Sequence, residues 1–185
     1  PKQPDIKNLV TGLLKKPDFS FIKNLSHKFP QAEIYLVGGA VRDLLMNRRE
    51  IKDYDFVVRN VPVSKLQASL HKLGWVDLLG RHFGVLKFAP VKSPPTKFAS
   101  TTPDGKGRAT KRGTIPSAIK QPALIEPFDI ALPRTEQSLE DGGYKSFDIQ
   151  SDPKLPIEED LGRRDFTINA IAIKIYPCLE IIDPF

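Results

Sequence analysis

The chain of 185 residues is poor in the features that mark several classes of protein. Its one cysteine, Cys178, excludes an intramolecular disulfide framework and fits a reducing compartment. No apolar run reaches the roughly 20 residues of a membrane-spanning helix, because Lys174 and Pro177 interrupt the richest segment, 166–182. The three histidines are scattered without metal-ligand spacing, and the first residues show no signal-peptide pattern. We therefore expect a cytoplasmic protein with no membrane partner.

Positive charge is abundant but unevenly distributed. The chain has 28 Lys and Arg against 22 Asp and Glu, a net charge of +6. Seven of the bases and one of the acids lie in the segment at about 90–122, so the rest of the chain carries 21 of each and is formally neutral. The same segment is rich in Pro, Gly, Ser, Thr and Lys and cannot bury a core. We predict a basic insertion between neighbouring strands, either a solvated loop or an RNA contact.

The apolar pattern predicts an α+β fold. It indicates loosely structured opening residues with at most one helical turn, followed by an amphipathic helix that ends at Pro30. Further helices are predicted near 41–45, 66–73 and 156–163, strands at 33–37, 54–58, 75–79, 83–88 and 124–132, and a β-hairpin near the C-terminus. Because helices and strands do not alternate strictly, we expect a mixed, mainly antiparallel sheet with helices on one face.

The stretch DYDFVV places two aspartates in a predicted strand. Because side chains alternate across a strand, Asp53 and Asp55 are predicted on one face, roughly 6 to 7 Å apart, with Tyr54 and Phe56 on the other. Carboxylates that close repel each other unless cations lie between them, and Mg²⁺ prefers such oxygens. The pattern fits a two-metal site for in-line attack on a phosphate, or a solvent-facing edge strand. Asp129 in FDIALPRTE either completes the metal set or is a polar edge residue.

The stretch VGGAVRD predicts an anion site where a strand turns into a helix. Gly38 and Gly39 let a phosphate approach the main chain, where the helix N-terminus offers free N–H groups. Arg42, in the first helical turn, can reach the same anion. The alternative is a tight turn with ordinary glycines.

The stretch EEDLGRRDFTINAIAI is a second candidate for phosphate binding. The guanidinium groups of Arg163 and Arg164 can bind phosphate in two-pronged fashion, and Asp165 can hold an arginine in place. On a helix, Asp165 and Asn169 would share a face. The alternative is a solvated cluster balanced by three preceding acids, Glu158, Glu159 and Asp160.

The two long stretches LVGGAVRDLLMNRREIKDYDFVV and RRDFTINAIAI resemble the two signature motifs of class II nucleotidyltransferases of the polymerase β superfamily. These are tRNA CCA-adding enzymes and bacterial poly(A) polymerases. DIALPRTE, GGY and IIDPF follow in the order found in the CCA-adding group. The resemblance covers roughly 34–185 except for the basic insertion, and it implies a small sheet with helices, the head domain.

The resemblance also implies a role for each matching residue. Asp53 and Asp55 would hold catalytic Mg²⁺, and Asp129 matches the less uniform position of a third catalytic carboxylate. The incoming nucleotide would contact both motifs through Gly38, Gly39, Arg42, Asp43, Arg163, Arg164, Asp165 and Asn169.

The activity implied is template-independent addition of CMP or AMP, from CTP or ATP, to the 3′ end of tRNA or another RNA, with release of pyrophosphate. We divide the chain into an N-terminal extension and helix, 1–32, and a head domain, 33–185. Family members continue past DPF into a helical neck, body and tail, which are absent here, so the head alone is expected to be poorly active. Poly(A) synthesis, A-only or CC-only addition, and a non-catalytic nucleotide- or RNA-binding module remain alternatives.

Overall fold

The computed structural model describes residues 5–48, 50–51, 53–79, 84–90, 127–138 and 147–185. The predicted insertion after residue 90, the first residues of the strand predicted at 124–132, and GGY lie outside the described residues.

Helices and strands follow the predicted order along the described chain. The helices are α1 (Ile6–Leu14), α2 (Ser20–Lys28), α3 (Gly39–Leu45), α4 (Val63–Leu70) and α5 (Ile157–Gly162), with 3-10 turns at Pro17–Phe19 and Thr167–Asn169. The strands are β1 (Glu33–Val37), β2 (Asp55–Arg59), β3 (Trp75–Leu79), β4 (Val85–Ala89), β5 (Phe128–Ala131), β6 (Arg134–Ser138), β7 (Phe147–Ser151), β8 (Ala172–Tyr176) and β9 (Glu180–Ile182).

Seven of these strands form one mixed sheet in the order β3-β4-β5-β2-β1-β8-β9. Neighbouring strands are antiparallel except for β2 and β5, which run parallel at the centre of the sheet. Strands β6 and β7 pair separately as a two-stranded antiparallel ribbon. The parallel pair places Asp55 directly beside Asp129, which no local sequence pattern can specify.

One face of the sheet carries the larger core. Helices α1 to α4 bury their apolar residues there against alternating strand residues such as Ile34, Leu36 and Phe56. Aromatic rings fill the centre, with Phe21 centroids 5.5 Å from Phe56 and 5.3 Å from Phe128. The α+β fold with a mainly antiparallel sheet is therefore confirmed.

The opposite face carries a smaller core. Tyr35, Val37 and Val57 point to this side because they alternate with residues of the larger core, and Ile157 and Leu161 of α5 pack against them. Helix α5 is the exception to the prediction of helices on one face. Because α5 covers only part of this face, the ends of β2 and β5 remain open beside it.

Two local predictions near the motifs need correction. Strand β2 begins at Asp55, so Asp53 precedes the strand and is exposed rather than sharing its face. Helix α5 ends at Gly162, so Asp165 and Asn169 do not lie on a common helix. The apolar run after Asp165 instead forms a 3-10 turn and then β8, because its alternating residues pair in register with β1.

The opening residues also differ from expectation. Helix α1 is nine residues long, and Asp5 caps it by accepting a hydrogen bond from the backbone N–H of Asn8 at 3.1 Å. Val10 and Leu13 are buried in the larger core, so tertiary packing stabilises a segment whose prolines suggested a loose chain. None of the helices in the described part of the chain is long and apolar enough to span a bilayer.

Candidate active site

A cleft of about 490 Å³ opens on the face of the smaller core, between the sheet and the segment that follows α5. Its volume is within the range of about 300 to 1,000 Å³ that is typical of small-molecule sites. The charged and amide residues in its lining are Asp55, Asp129, Arg134, Asp160, Arg163, Arg164, Asp165 and Asn169. Residues from both long motifs therefore line one cleft.

One side of the cleft, which we call the carboxylate wall, is formed by Asp55 and Asp129. Strand register aligns Asp55 with Asp129 and aligns Asp129 with Lys87 on the next strand. Lys87 Nζ donates a hydrogen bond to Asp129 Oδ1 at 2.6 Å. Asp129 is thus neutralised within the sheet, whereas Asp55 has a second carboxylate as its neighbour.

The electrostatic setting of Asp55 disfavours its charged form. Burial raises the pKa of its carboxyl above the usual value of 3.8, and repulsion by Asp129 and Asp53 raises it further. The positive charges of Arg164 and Lys87 oppose these effects without cancelling them. A cation bound at Asp55 would relieve this repulsion.

Asp53 and Asp55 fit a divalent metal by the chemistry of their donors. Both offer carboxylate oxygens, which hard cations prefer, and their mutual repulsion contributes to the raised pKa of Asp55. Asp129 is paired with Lys87. Among the residues that the structure describes, no cluster of three or more His, Cys, Asp or Glu side chains is suited to a metal ion.

The other side of the cleft, which we call the guanidinium wall, is formed by Arg163 and Arg164. Both arginines bind the carboxylate of Asp160, at 3.0 Å from Arg163 Nη2 and 3.3 Å from Arg164 Nη2. Asp160 is only 1% exposed. The expectation that Asp165 holds an arginine gains no support, since Asp165 is exposed and Asp160 makes these contacts.

Gly38 lies between the two walls. It precedes α3 with φ +71° and ψ −145°, a conformation that side chains other than glycine rarely adopt. A Cβ atom at this position would lie 3.0 Å from Asp55 Oδ2 and 3.4 Å from Arg164 Nη1. The glycine therefore lets the carboxylate and the guanidinium converge over the backbone.

Arg42 connects the two motifs. Its Nη1 donates to Asn169 Oδ1 at 3.2 Å, and its Nε donates to Asp43 Oδ1 at 3.0 Å. Asp43 also lies 3.6 Å from Arg48 Nη1. Asp43 is thus paired with two arginines, and Arg42 supports the segment that carries Asn169.

Sequence reasoning did not assign a role in the site to Lys87, Arg134 or Asp160. Asp160 had a detectable signal, because it shares a helical face with the apolar Ile157 and Leu161 and is therefore predicted to be buried. Lys87 and Arg134 reach the site through strand pairing and a turn, for which no short-range pattern exists.

A mixed sheet with carboxylates at its centre and paired arginines across a cleft is the head-domain architecture that the sequence resemblance implies. Residues 34–89 and 74–185 match the family model described as "Poly A polymerase head domain". The chain belongs to this family.

The curated relatives and a solved structure agree with the assignment. The "Multifunctional CCA protein" of Acidovorax sp. (strain JS42) is 32% identical over 143 residues, which cover 76% of this chain and 23% of that protein. The "CCA-adding enzyme" of Coxiella burnetii (strain RSA 331 / Henzerling II) is 31% identical over 163 residues, 86% of this chain and 31% of that protein. The chain thus spans less than a third of the length of these relatives.

The fold is also similar to a solved structure, the Bacillus stearothermophilus CCA-adding enzyme in complex with CTP. The two share 25% sequence identity with a TM-score of 0.53, and the match covers 92% of this chain and 30% of that one. The predicted family resemblance is therefore confirmed.

Proposed function

We propose that the chain is the catalytic head of a template-independent RNA nucleotidyltransferase that adds CMP and AMP, from CTP and ATP, to the 3′ end of tRNA. The observation that carries the proposal is the separation of charge across one cleft, with Asp55 and Asp129 on one wall and Arg163 and Arg164 on the other. A nucleoside triphosphate with a divalent cation has the complementary charges. The CCA-adding relatives support tRNA as the acceptor.

The proposed reaction exchanges one phosphoryl bond for another. The oxygen of the RNA 3′-hydroxyl bonds to the α-phosphorus of the nucleotide, and the bond to the oxygen that bridges to the β-phosphate breaks. Pyrophosphate leaves, and the hydroxyl proton passes to solvent. Arg163 and Arg164 hold the triphosphate, so the chain contributes mainly positioning and charge neutralisation.

We propose that Asp53 and Asp55 hold Mg²⁺. When bound, this ion supplies neutralisation of phosphate charge and a lower pKa for the attacking hydroxyl. Asp129 is the third carboxylate of the proposal, and it acts on Asp55 through repulsion while Lys87 balances its charge. Gly38 leaves the space in which the nucleotide approaches the backbone beside Asp55.

The test supplies the complete protein with tRNA that ends at the discriminator base and records which of the four nucleotides are incorporated. We expect addition of C, C and A in that order and no addition by Asp55→Asn. The matched control is Asp77→Asn, which removes an exposed acid from β3 of the same sheet and is expected to leave incorporation unchanged.

The other outcomes identify the competing functions. Long A tails on unrelated RNA would indicate a poly(A) polymerase, a possibility that the description of the family model keeps open. Incorporation of C alone or A alone would indicate a partial CCA activity. Nucleotide binding without any incorporation would indicate a non-catalytic binding module and would overturn the proposal.

A further inference from the structure

We infer that Asp160 is a positioning residue that fixes Arg163 and Arg164 as one phosphate-binding pair and ties the pair to the first residue of β6. The inference rests on the proposed function, because it concerns how the same site holds a triphosphate. It assigns a role to a buried acid that neither of the two long motifs explains.

The contacts of Asp160 divide its two oxygens between the two arginines. Oδ1 accepts hydrogen bonds from Arg163 Nε at 3.2 Å and from Arg163 Nη2 at 3.0 Å. Oδ2 accepts from Arg164 Nη2 at 3.3 Å. Each guanidinium is thus held by its own carboxylate oxygen, which fixes the orientation of one relative to the other.

A third contact reaches a different part of the fold. The backbone N–H of Arg134 donates to Asp160 Oδ1 at 3.1 Å. Arg134 begins β6 and also lines the cleft. Asp160 therefore joins helix α5, the arginine pair and the β6-β7 ribbon at one buried point.

The contacts leave the pair able to attract an anion. One buried carboxylate balances two guanidinium groups, so about one positive charge of the pair is not neutralised by Asp160. With Nη2 of Arg164 held by Asp160, its Nη1 is directed toward the Gly38 turn, 3.4 Å from the Cβ position of that glycine. Asp160 thus aims a donor at the space between the two walls.

Neighbouring acids cannot take over this role. Glu158 and Glu159 lie on the same helix but are exposed, and Asp165 is exposed on the other side of the arginine pair. Asp160 is at 1% exposure and lies among the apolar residues Ile157 and Leu161. A carboxylate in this position orders the arginines because it is shielded from competing water.

The test is steady-state incorporation of CTP and ATP by the complete protein with Asp160→Asn. This change keeps the shape and an acceptor oxygen but removes the charge. We expect KM for both nucleotides to rise roughly tenfold or more, with a smaller change in kcat, because charge-assisted hydrogen bonds order the phosphate-binding pair. The matched control is Glu159→Gln, the same loss of charge at an exposed position of α5, for which KM stays unchanged.

A second substitution separates positioning from general stability. If Asp160 acts through the arginines, Asp160→Asn should raise KM much less in an Arg163→Met background than in the wild type. A purely structural role would lower the active fraction, and hence kcat, in both backgrounds without this coupling. Additive effects on KM would therefore overturn the inference.

Two further arms keep the inference decidable. If Asp160→Asn does not fold, Asp160→Glu keeps the charge but displaces it by one methylene, and a wild-type KM in that variant would contradict positioning. If the wild type incorporates no nucleotide, the proposed function fails, and calorimetric titration of the chain with inorganic tripolyphosphate decides the inference instead. Weaker binding by Asp160→Asn than by Glu159→Gln would support it, and equal binding, or none by the wild type, would overturn it.

Discussion

The carboxylate wall and the guanidinium wall face the same cleft but balance their charges differently. On the carboxylate wall, Asp55 lies beside Asp129 in strand register, and its pKa is raised by burial and by repulsion. On the guanidinium wall, Arg163 and Arg164 share a buried counter-ion, Asp160. The first wall retains an unfavourable charge that a bound cation would relieve, whereas the second is ordered before any ligand arrives.

The difference follows from the elements that carry each wall. Adjacent strands fix the spacing of Asp55 and Asp129 through backbone hydrogen bonds, so the two carboxylates cannot move apart to reduce repulsion. The arginines lie after the end of α5, where long side chains have to be held by a partner. A rigid frame can therefore keep like charges together, whereas a loop requires a counter-ion to hold its cations in place.

Asp55→Asn is expected to produce the largest effect, a loss of roughly a thousandfold or more in kcat for nucleotide incorporation. The amide keeps the shape of the side chain but removes the charge that would hold Mg²⁺. Single-turnover assays with the complete protein measure the loss, and calorimetric titration with Mg²⁺ measures binding independently. Retained Mg²⁺ affinity together with retained activity would mean that the carboxylate wall is not the metal side of the cleft.

Much of the fold was predictable because it depends on local pattern. The strand predicted at 33–37 is observed at Glu33–Val37, and Pro30 ends the preceding helical segment as expected, with α2 closing at Lys28. The pairing of β2 with β5 was not predictable, since parallel neighbours distant in sequence are chosen by tertiary packing. The segment after Asp165 was assigned to a helix because its spacing of polar residues also fits a 3.6-residue period.

The site was predictable to the extent that it depends on residue type. Aspartates and arginines in the two motifs indicated a cation side and a phosphate side, and the cleft brings Asp55, Arg163 and Arg164 together. The network around Asp160 could not be foreseen in full, because one of its donors is the backbone N–H of Arg134, 26 residues away. Backbone donors leave no trace in the identity of the residue that supplies them.

Arg164→Met is expected to give the next largest effect, a rise of about ten- to a hundredfold in KM for the nucleotide from lost charge-assisted hydrogen bonds. The change removes the guanidinium that lies nearest the Gly38 turn. Arg164→Lys is the matched control, since it keeps the charge but not the planar fork, and an intermediate KM is expected. An unchanged KM in Arg164→Met would contradict the role of this wall in holding the triphosphate.

The same acid-to-amide change should shift stability in opposite directions on the two walls. Asp160→Asn leaves two guanidiniums without their counter-ion and is expected to lower the free energy of unfolding by about 3 kcal/mol. Asp55→Asn removes a repulsive charge and is expected to raise the melting temperature. Denaturant unfolding without divalent cations measures both. Shifts of the same sign would mean that the walls balance charge in the same way.

Gly38→Ala tests the space between the walls and is expected to cost about 1 to 3 kcal/mol of stability, because alanine disfavours this backbone conformation. Its Cβ would also press on Asp55 Oδ2 at 3.0 Å. The matched control is Gly12→Ala, in α1, where an added Cβ meets no atom within 4 Å and helix propensity favours alanine. We expect Gly12→Ala to unfold at the wild-type temperature or above it. Equal stability of both variants would show that the turn tolerates a side chain and does not constrain the walls.

The smallest expected effect concerns the pH dependence of stability, and it isolates the carboxylate wall. Because the pKa of Asp55 is higher in the folded chain than its ordinary value of 3.8, the folded state binds this proton more tightly than the unfolded chain does. The contribution of Asp55 to stability is therefore least favourable when the group is ionised in both states. It improves as pH falls through the raised pKa toward the ordinary value.

Calorimetric unfolding with EDTA, between about pH 7 and about pH 4, measures this contribution as the difference in melting temperature between Asp55→Asn and the wild type. The difference should shrink as pH falls, because protonation removes from the wild type the same charge that the amide removes. The corresponding difference for Asp77→Asn, an exposed acid on β3, should stay nearly flat. A difference that grows as pH falls would mean that attraction to Arg164 and Lys87 outweighs burial and repulsion at Asp55. In that case both walls would be ordered by internal ion pairs, and the need for a bound cation at Asp55 would disappear.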